Sequence, residues 1–267
     1  MNLHFQFKSI ALCLFILGIQ QSRIKAVPQA PDEGYDCTKI FAEGSYTSSG
    51  PYLAKPIKSL PPFLVFCENR SDGGWTVIQR RNGRGADGHP VSFYRPWLDY
   101  KNGFGDVKCE HWLGLDHIHA LTHQEGKTCQ LRVDMIDCQN QQGYALYDNF
   151  SIDSEKDLYR LHLGKYEGDR GDAFRANSYS KKQDGYPFST YDNDNDGCDP
   201  CIRGDIAFYS CAETQASGWW YSDCGLSDLN GDWHNQTECI GWASAISWDT
   251  WSSYRSLLST EMKVKCT

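Results

Sequence analysis

Twelve cysteines in 267 residues constrain this chain more than any other feature. The first, Cys13, sits in an apolar run from Ile10 to Ile19 that follows Lys8. That run is shorter than the about 20 apolar residues needed to cross a bilayer. With a basic residue before it and Ala26 after it, the segment 1–26 reads as a secretory signal peptide. Its removal leaves eleven of the twelve cysteines in an oxidising compartment, where most pair. Eleven is odd, so at least one keeps its thiol or links two chains. No second long apolar run follows, so the expected product is secreted, without a membrane span.

Charge narrows the partners. A formal net charge of −8 argues against nucleic acid or an anionic membrane, since both call for basic surfaces. Asn69-Arg70-Ser71, Asn149-Phe150-Ser151 and Asn235-Gln236-Thr237 match the N-glycosylation acceptor pattern, and export would make them usable. There is no Gly-x-Ser-x-Gly, no His-Glu-x-x-His and no glycine-rich phosphate loop, so an enzyme is not expected. His111, His117, His119 and His123 cluster in sequence, but a zinc site would need a further ligand that the spacing does not name.

The segment 27–36 is a short Pro-containing stub without heptads or a Gly-X-Y repeat, so assembly is expected through the globular part or through a cysteine. Strands are expected at Leu64 to Cys67, Trp75 to Arg80, Cys129 to Ile136, Tyr144 to Phe150 and Glu261 to Lys265. In the third of these, Leu131, Val133 and Met135 alternate with Arg132 and Asp134, the mark of a half-buried strand. Short helices are expected from Pro96 to Lys101 and from His117 to Thr122, the second capped by Asp116. From about Gly164 onward Gly, Asp, Asn and Ser dominate and periodicity disappears. An ordered α+β half is therefore expected to precede a half held by loops, disulfides and metal.

That second half carries the chemistry. Asp192-Asn193-Asp194-Asn195-Asp196-Gly197 sets carboxylates at alternate positions and ends on Gly, a hard-oxygen pattern suited to Ca2+. It also opens an EF-hand, but the twelfth position from Asp192 is Arg203 where a bidentate Glu is required, and no helical pattern flanks the loop. The EF-hand reading fails. Beyond it, Cys211 to Cys224 encloses Trp219-Trp220-Tyr221. Trp219 and Trp220 read as core, because Trp is highly buried on average. Cys198-Asp199-Pro200-Cys201 has redox-motif spacing, and the secretory setting favours a structural disulfide there.

Together these residues spell a family pattern. Gly73-Gly74-Trp75-Thr76-Val77-Ile78-Gln79-Arg80-Arg81 resembles the signature strand of fibrinogen C-terminal domains. So do Tyr100-Lys101-Asn102-Gly103-Phe104-Gly105, Trp112-Leu113-Gly114, Leu131-Arg132-Val133-Asp134, Phe188-Ser189-Thr190, Leu229-Asn230-Gly231 and Glu261-Met262-Lys263. The match runs from Cys37 to Lys265, giving a domain at 37–267. With no stalk in the stub, the protein looks closest to the microfibril-associated glycoprotein branch, beside ficolins and tachylectins.

The resemblance implies an α+β fold: a small disulfide-linked N-terminal subdomain, a central twisted antiparallel sheet and a loop-rich calcium-binding C-terminal subdomain. It implies pairing of Cys37 with Cys67 and of Cys211 with Cys224, the latter closing a short loop and contributing roughly 3 kcal/mol in the chain-entropy model. Cys109, Cys129, Cys138, Cys198, Cys201, Cys239 and Cys266 stay unassigned. The family's calcium site implies the carboxylates of Asp194 and Asp196 with backbone carbonyls of Cys198 and Pro200, in a loop lengthened here by residues 198–205. Its lectin members imply an acetyl-binding pocket beside a cis Asp223-Cys224 peptide, with Gln215, Tyr221, Asp223, Cys224, Gly225, Trp242 and Ala243 around it. Gln215 stands where a Tyr is common, and Gly225 where a His is usual.

Two Arg-Gly-Asp tripeptides occur, at 170–172 and 203–205. The first coincides with a Gly-Asp common in the family and reads as structural, while the second lies in the lengthened loop. The expected function is calcium-dependent, lectin-like recognition of carbohydrate or acetylated surface ligands in innate defence. The alternative is a matrix or cell-adhesion protein that binds matrix fibres or an integrin.

Overall fold

A computed structural model describes residues 35–44, 47–175, 181–203, 206–239, 241, 244–251 and 255–267. The expected signal peptide and most of the stub lie outside these residues, as do Gly204, Asp205, Trp242 and Ala243.

The chain enters through a short helix, α1 (Cys37–Ala42), capped by Asp36, whose carboxylate accepts from the Lys39 N–H at 3.0 Å. Three antiparallel strands follow: β1 (Gly50–Ala54), β2 (Phe63–Arg70) and β3 (Gly73–Arg81). Helix α1 packs on β3 at Gly74, where an added Cβ would lie 2.0 Å from the Cys37 carbonyl oxygen, so only Gly permits the contact. Cys37 is bonded to Cys67 on β2, which braces this N-terminal layer.

Short strands β4 (Phe104–Gly105) and β5 (His111–Trp112) pair with each other, and β5 also pairs with β3. Helices α2 (Trp97–Asn102) and α3 (Leu115–Thr122) flank them. The hairpin β6 (Cys129–Asp137) and β7 (Gln142–Tyr147) follows. The C-terminal strand Leu257–Cys266 then returns to lie between β3 and β6. With a short strand at Tyr166–Gly168 paired to β7, nine strands among the described residues form this sheet, and its pairings are all antiparallel. The register sets Cys266 opposite Cys129, and the two are bonded. In β6, Leu131, Val133 and Met135 are buried while Arg132 and Asp134 are partly exposed, as the alternation requires.

Two local expectations are corrected. The N-cap of α3 is Gly114, and Asp116 sits in the first turn, where its carboxylate accepts from the Tyr159 hydroxyl at 2.5 Å. The β7 strand stops at Tyr147 rather than reaching Phe150, because Asn149 turns the backbone at φ 48°.

The polar face of the sheet is an ionic lattice. Lys263, 2% exposed, meets Asp134 at 2.9 Å and Glu261 at 2.6 Å, with Glu68 also in contact, and these carboxylates raise its pKa against the effect of burial. Deeper still, Arg81 and Glu110 pair at 3.2 Å with 2% and 0% side-chain exposure. Glu110 also accepts from the N–H groups of Asn82, Gly83 and Val91 at 2.9, 2.8 and 2.7 Å. One carboxylate thus shapes the turn after β3. Removing a partner from such a pair strands a buried charge. We predict that Glu110→Ala costs about 3–5 kcal/mol of unfolding free energy in denaturant titration. A loss below about 1 kcal/mol would show that the turn does not depend on it.

Candidate functional site

After residue 168 the described elements are small: hairpin strands at Cys201–Arg203 and Ile206–Phe208, helix α4 (Cys211–Thr214), and a ladder between Ser227–Asp228 and Ser247–Trp248. Packing by large aromatic groups replaces regular structure. Trp219 and Trp220 are fully buried, their rings 5.1 Å apart, with Phe188 against Trp220 and Phe174 stacked on Trp219. Both tryptophans are core, as read from the sequence. Disulfides Cys138–Cys239, Cys198–Cys201 and Cys211–Cys224 brace this half. Cys109 is buried and belongs to none of the disulfides among the described residues.

The acidic turn is positioned from both ends. Asp192 caps α2 from a distant point in the sequence, accepting from the Trp97 N–H at 2.8 Å and from Thr190 Oγ1 at 2.7 Å. Capping thus engages Oδ1 of Asp192. Asp194 is exposed and accepts from the Asp196 N–H at 3.2 Å. Asp196 is 3% exposed: one carboxylate oxygen accepts from the Cys198 N–H at 3.0 Å, the other from the Cys211 N–H at 2.8 Å. Partial burial, followed by the Asp196 charge, raises the pKa of Asp194. Asp194, Asp196, Gly197, Cys198, Asp199 and Tyr209 line one concavity of about 430 Å³. Two carboxylates that repel across a shared hollow form a hard-oxygen donor set whose repulsion a divalent cation would relieve. Pro200 is exposed beside it.

Beyond the Cys211–Cys224 bridge, most of the described residues of the implied pocket are buried. Tyr221 is fully buried; its hydroxyl meets Ser217 Oγ at 2.5 Å and donates to Asp228 at 3.0 Å. Gln215 and Cys224 are 5% and 3% exposed. Gly225 is also buried, and a Cβ there would lie 2.4 Å from the Gln183 amide. Gln183 exchanges hydrogen bonds with Ser227, donating to its carbonyl at 2.8 Å and accepting from its hydroxyl at 2.6 Å. So Gln183, lying outside every sequence motif, fills the space a histidine at position 225 would need. Of the described pocket residues only Asp223 is partly exposed.

The peptide geometry is corrected too. Among the described residues the cis peptide is Asp199-Pro200, not Asp223-Cys224. The turn there runs through three positive φ values, 45° at Asp223, 60° at Cys224 and 71° at Gly225.

Other singled-out residues take structural places. Gly171 accepts from the Trp248 indole at 3.0 Å, and Asp172 accepts from the Tyr147 hydroxyl at 2.7 Å, so the first Arg-Gly-Asp belongs to the framework. The second lies partly outside the described residues. His111 is buried between the carbonyls of Cys109 and Val77, and burial lowers its pKa. His119 and His123 approach to 4.0 Å between ring centroids. Among the described residues, however, the group close enough to share an ion is Asp196 with Cys198, Cys201 and Cys211, whose sulfurs are in disulfides. Asn69 and Asn149 are exposed and Asn235 is half-buried.

A disulfide-braced antiparallel sheet feeding an acidic turn and an aromatic, cysteine-bounded segment defines a fibrinogen-like globular domain. The protein belongs to the fibrinogen family: the family model for the C-terminal globular domain of fibrinogen beta and gamma chains matches residues 33–267. It is 39% identical to Techylectin-5A of Tachypleus tridentatus over 245 residues, covering 90% of this chain and 76% of that protein. Fibrinogen-like protein 1 of Homo sapiens is 38% identical over 239 residues, or 86% of this chain and 71% of that one. Among solved structures, lamprey fibrin D-dimer complexed with the peptide Gly-His-Arg-Pro-amide superposes with a TM-score of 0.74 at 34% identity, covering 89% and 74% of the two chains.

Asp228, the acceptor of the Tyr221 hydroxyl, offers a pH test. It is fully buried, and burial raises its pKa to about 7 despite hydrogen bonds from Ser217, Tyr221 and Asn230. A carboxyl that holds its proton better when folded than when unfolded stabilises the fold at low pH. That stabilisation is lost as pH rises from the unfolded value, 3.8, toward 7. Unfolding free energy measured from pH 4 to 8 should fall more steeply in the wild type than in Asp228→Asn, by about 1.4 kcal/mol per unit of pKa separation. Parallel curves would show that Asp228 does not titrate in this range.

Proposed function

We propose that the protein is a secreted recognition protein that binds Ca2+ at its acidic turn and carbohydrate or acetylated surface ligands beside it. The observation that carries the reading is the shared concavity of Asp194 and Asp196, one carboxylate exposed and the other held by two backbone N–H groups. These two carboxylates, with the backbone carbonyls of Cys198 and Pro200, would hold the ion. When bound, it supplies a fixed positive charge for polar ligand oxygens and rigidity for the turn.

Because Tyr221 and Gln215 are buried, the ligand surface shifts outward. Tyr209, 71% exposed, lines the concavity, and Tyr191 and Tyr94 form a second exposed pair 4.7 Å apart. Exposed tyrosines offer flat apolar faces with a polar handle, which suits a sugar ring. The likeness to Techylectin-5A supports this reading. No helix among the described residues is long and apolar enough to cross a membrane, and the signal-like segment 1–26 supports export.

Recognition of a protein partner on matrix or cell surface is the second reading, favoured by the likeness to a fibrin complexed with a peptide and by the exposed apolar side chain of Leu98.

Calcium at a hundredfold excess over its Kd should stabilise the fold by about 2.7 kcal/mol, raising Tm by about 5–10 °C over EDTA. Asp194→Ala should abolish that difference while melting like the wild type in EDTA. Equal wild-type melting in calcium and EDTA would reject the site. On a glycan array, signal that requires calcium and is lost in Tyr209→Ala supports the lectin reading. A blank array with binding to matrix proteins establishes the second.

A further inference from the structure

Next to the acidic turn two disulfides touch. Sγ of Cys201 lies 3.3 Å from Sγ of Cys211, and Sγ of Cys198 lies 3.9 Å from it. The four cysteines differ in access. Cys198 is half-buried and lines the concavity, whereas Cys201, Cys211 and Cys224 are 1%, 0% and 3% exposed. An external thiol therefore meets Cys198 first, and the sulfur it displaces is already seated against the second bridge.

We propose that Cys198-Asp199-Pro200-Cys201 is a thiol–disulfide exchange site that relays reduction by a small thiol to the buried Cys211–Cys224 bridge. The thiolate attacks Cys198 Sγ through the concavity; the Cys198–Cys201 bond breaks and a mixed disulfide forms at Cys198. Cys201 leaves as a thiolate and attacks Cys211 Sγ. A Cys201–Cys211 bond forms, the Cys211–Cys224 bond breaks, and Cys224 departs as a thiolate that takes a proton from water. Disulfides number two before and two after, so this stage only exchanges partners. A second thiol then attacks the mixed disulfide, releasing Cys198 as a thiol and the two small thiols as their own disulfide. Overall one protein disulfide is reduced and two thiols, on Cys198 and Cys224, appear.

The relay has a structural consequence. Cys224 is the middle residue of the positive-φ turn at 223–225 that Gln183 packs against. Releasing Cys224 frees that turn and the closed end of the aromatic segment. Meanwhile Asp196, bonded to the N–H groups of Cys198 and Cys211, keeps the new bridge beside the acidic turn. The exchange requires neither calcium nor sugar.

The test is differential alkylation of the full-length protein with reduced glutathione, followed by non-reducing peptide mapping. In the wild type, Cys224 should label and a Cys201–Cys211 linked peptide should appear. In the double variant Cys198→Ser/Cys201→Ser, labelling of Cys224 at the same time point should drop at least tenfold. The single variant Cys198→Ser, which leaves a permanent thiol on Cys201, should form the Cys201–Cys211 bridge with no added thiol. Equal labelling of Cys224 in the wild type and the double variant would overturn the relay. So would a wild type in which Cys198 and Cys201 label while Cys211–Cys224 stays intact. The wild-type map decides the question even where a variant is not secreted.

Discussion

The carboxylate of Asp196 is the contact through which the C-terminal half holds one geometry. It reaches the Cys198 N–H with one oxygen and the Cys211 N–H with the other, from a nearly buried position. Burying a carboxylate is costly unless its oxygens are hydrogen-bonded, and two backbone donors do that. In doing so it ties the acidic turn to the start of α4, and α4 carries the first cysteine of the bridge that closes the aromatic segment. Turn, inserted hairpin and aromatic core therefore share a joint rather than lying side by side.

The joint works because the two halves are stabilised differently. The sheet is held by ladder hydrogen bonds, an apolar face and the lattice around Lys263. The C-terminal half has little regular structure and relies on fully buried aromatic side chains, among them Trp219, Trp220, Tyr221, Phe174 and Phe188, with disulfides across its loops. The sheet also enters that half directly. Arg81 donates to the Gly231 carbonyl at 2.6 Å and Gln79 to that of Leu229 at 2.6 Å, so loops of the site rest on residues of β3.

Much of this is legible in the sequence. Alternation in β6 places its buried face, the Trp-Trp pair reads as core, and the acidic turn stands out by spacing alone. What stays hidden is long-range geometry. Nothing local says that Asp192 caps a helix that begins at Trp97, or that Gln183 occupies the space beside Gly225. Both pairings depend on where loops meet after folding. Tyr221 resembles a ligand-stacking residue because its neighbours are aromatic, but its hydroxyl finds Asp228 and Ser217 inside, which makes burial of the ring favourable. Helix α3 starts earlier than its sequence suggests because Asp116 looks like a cap, when its carboxylate serves Tyr159 instead.

In the proposed reading, the ligand surface is the acidic turn and its exposed tyrosines, not the space behind the Cys211–Cys224 bridge. The measurement that tests this most directly is a crystal structure grown in calcium chloride with an acetylated sugar. One ion is expected, with a carboxylate oxygen each from Asp194 and Asp196 at about 2.3–2.6 Å, and the sugar against Tyr209 while Tyr221 stays buried. An acidic turn without an ion, or a sugar seated on an exposed Tyr221, would contradict it.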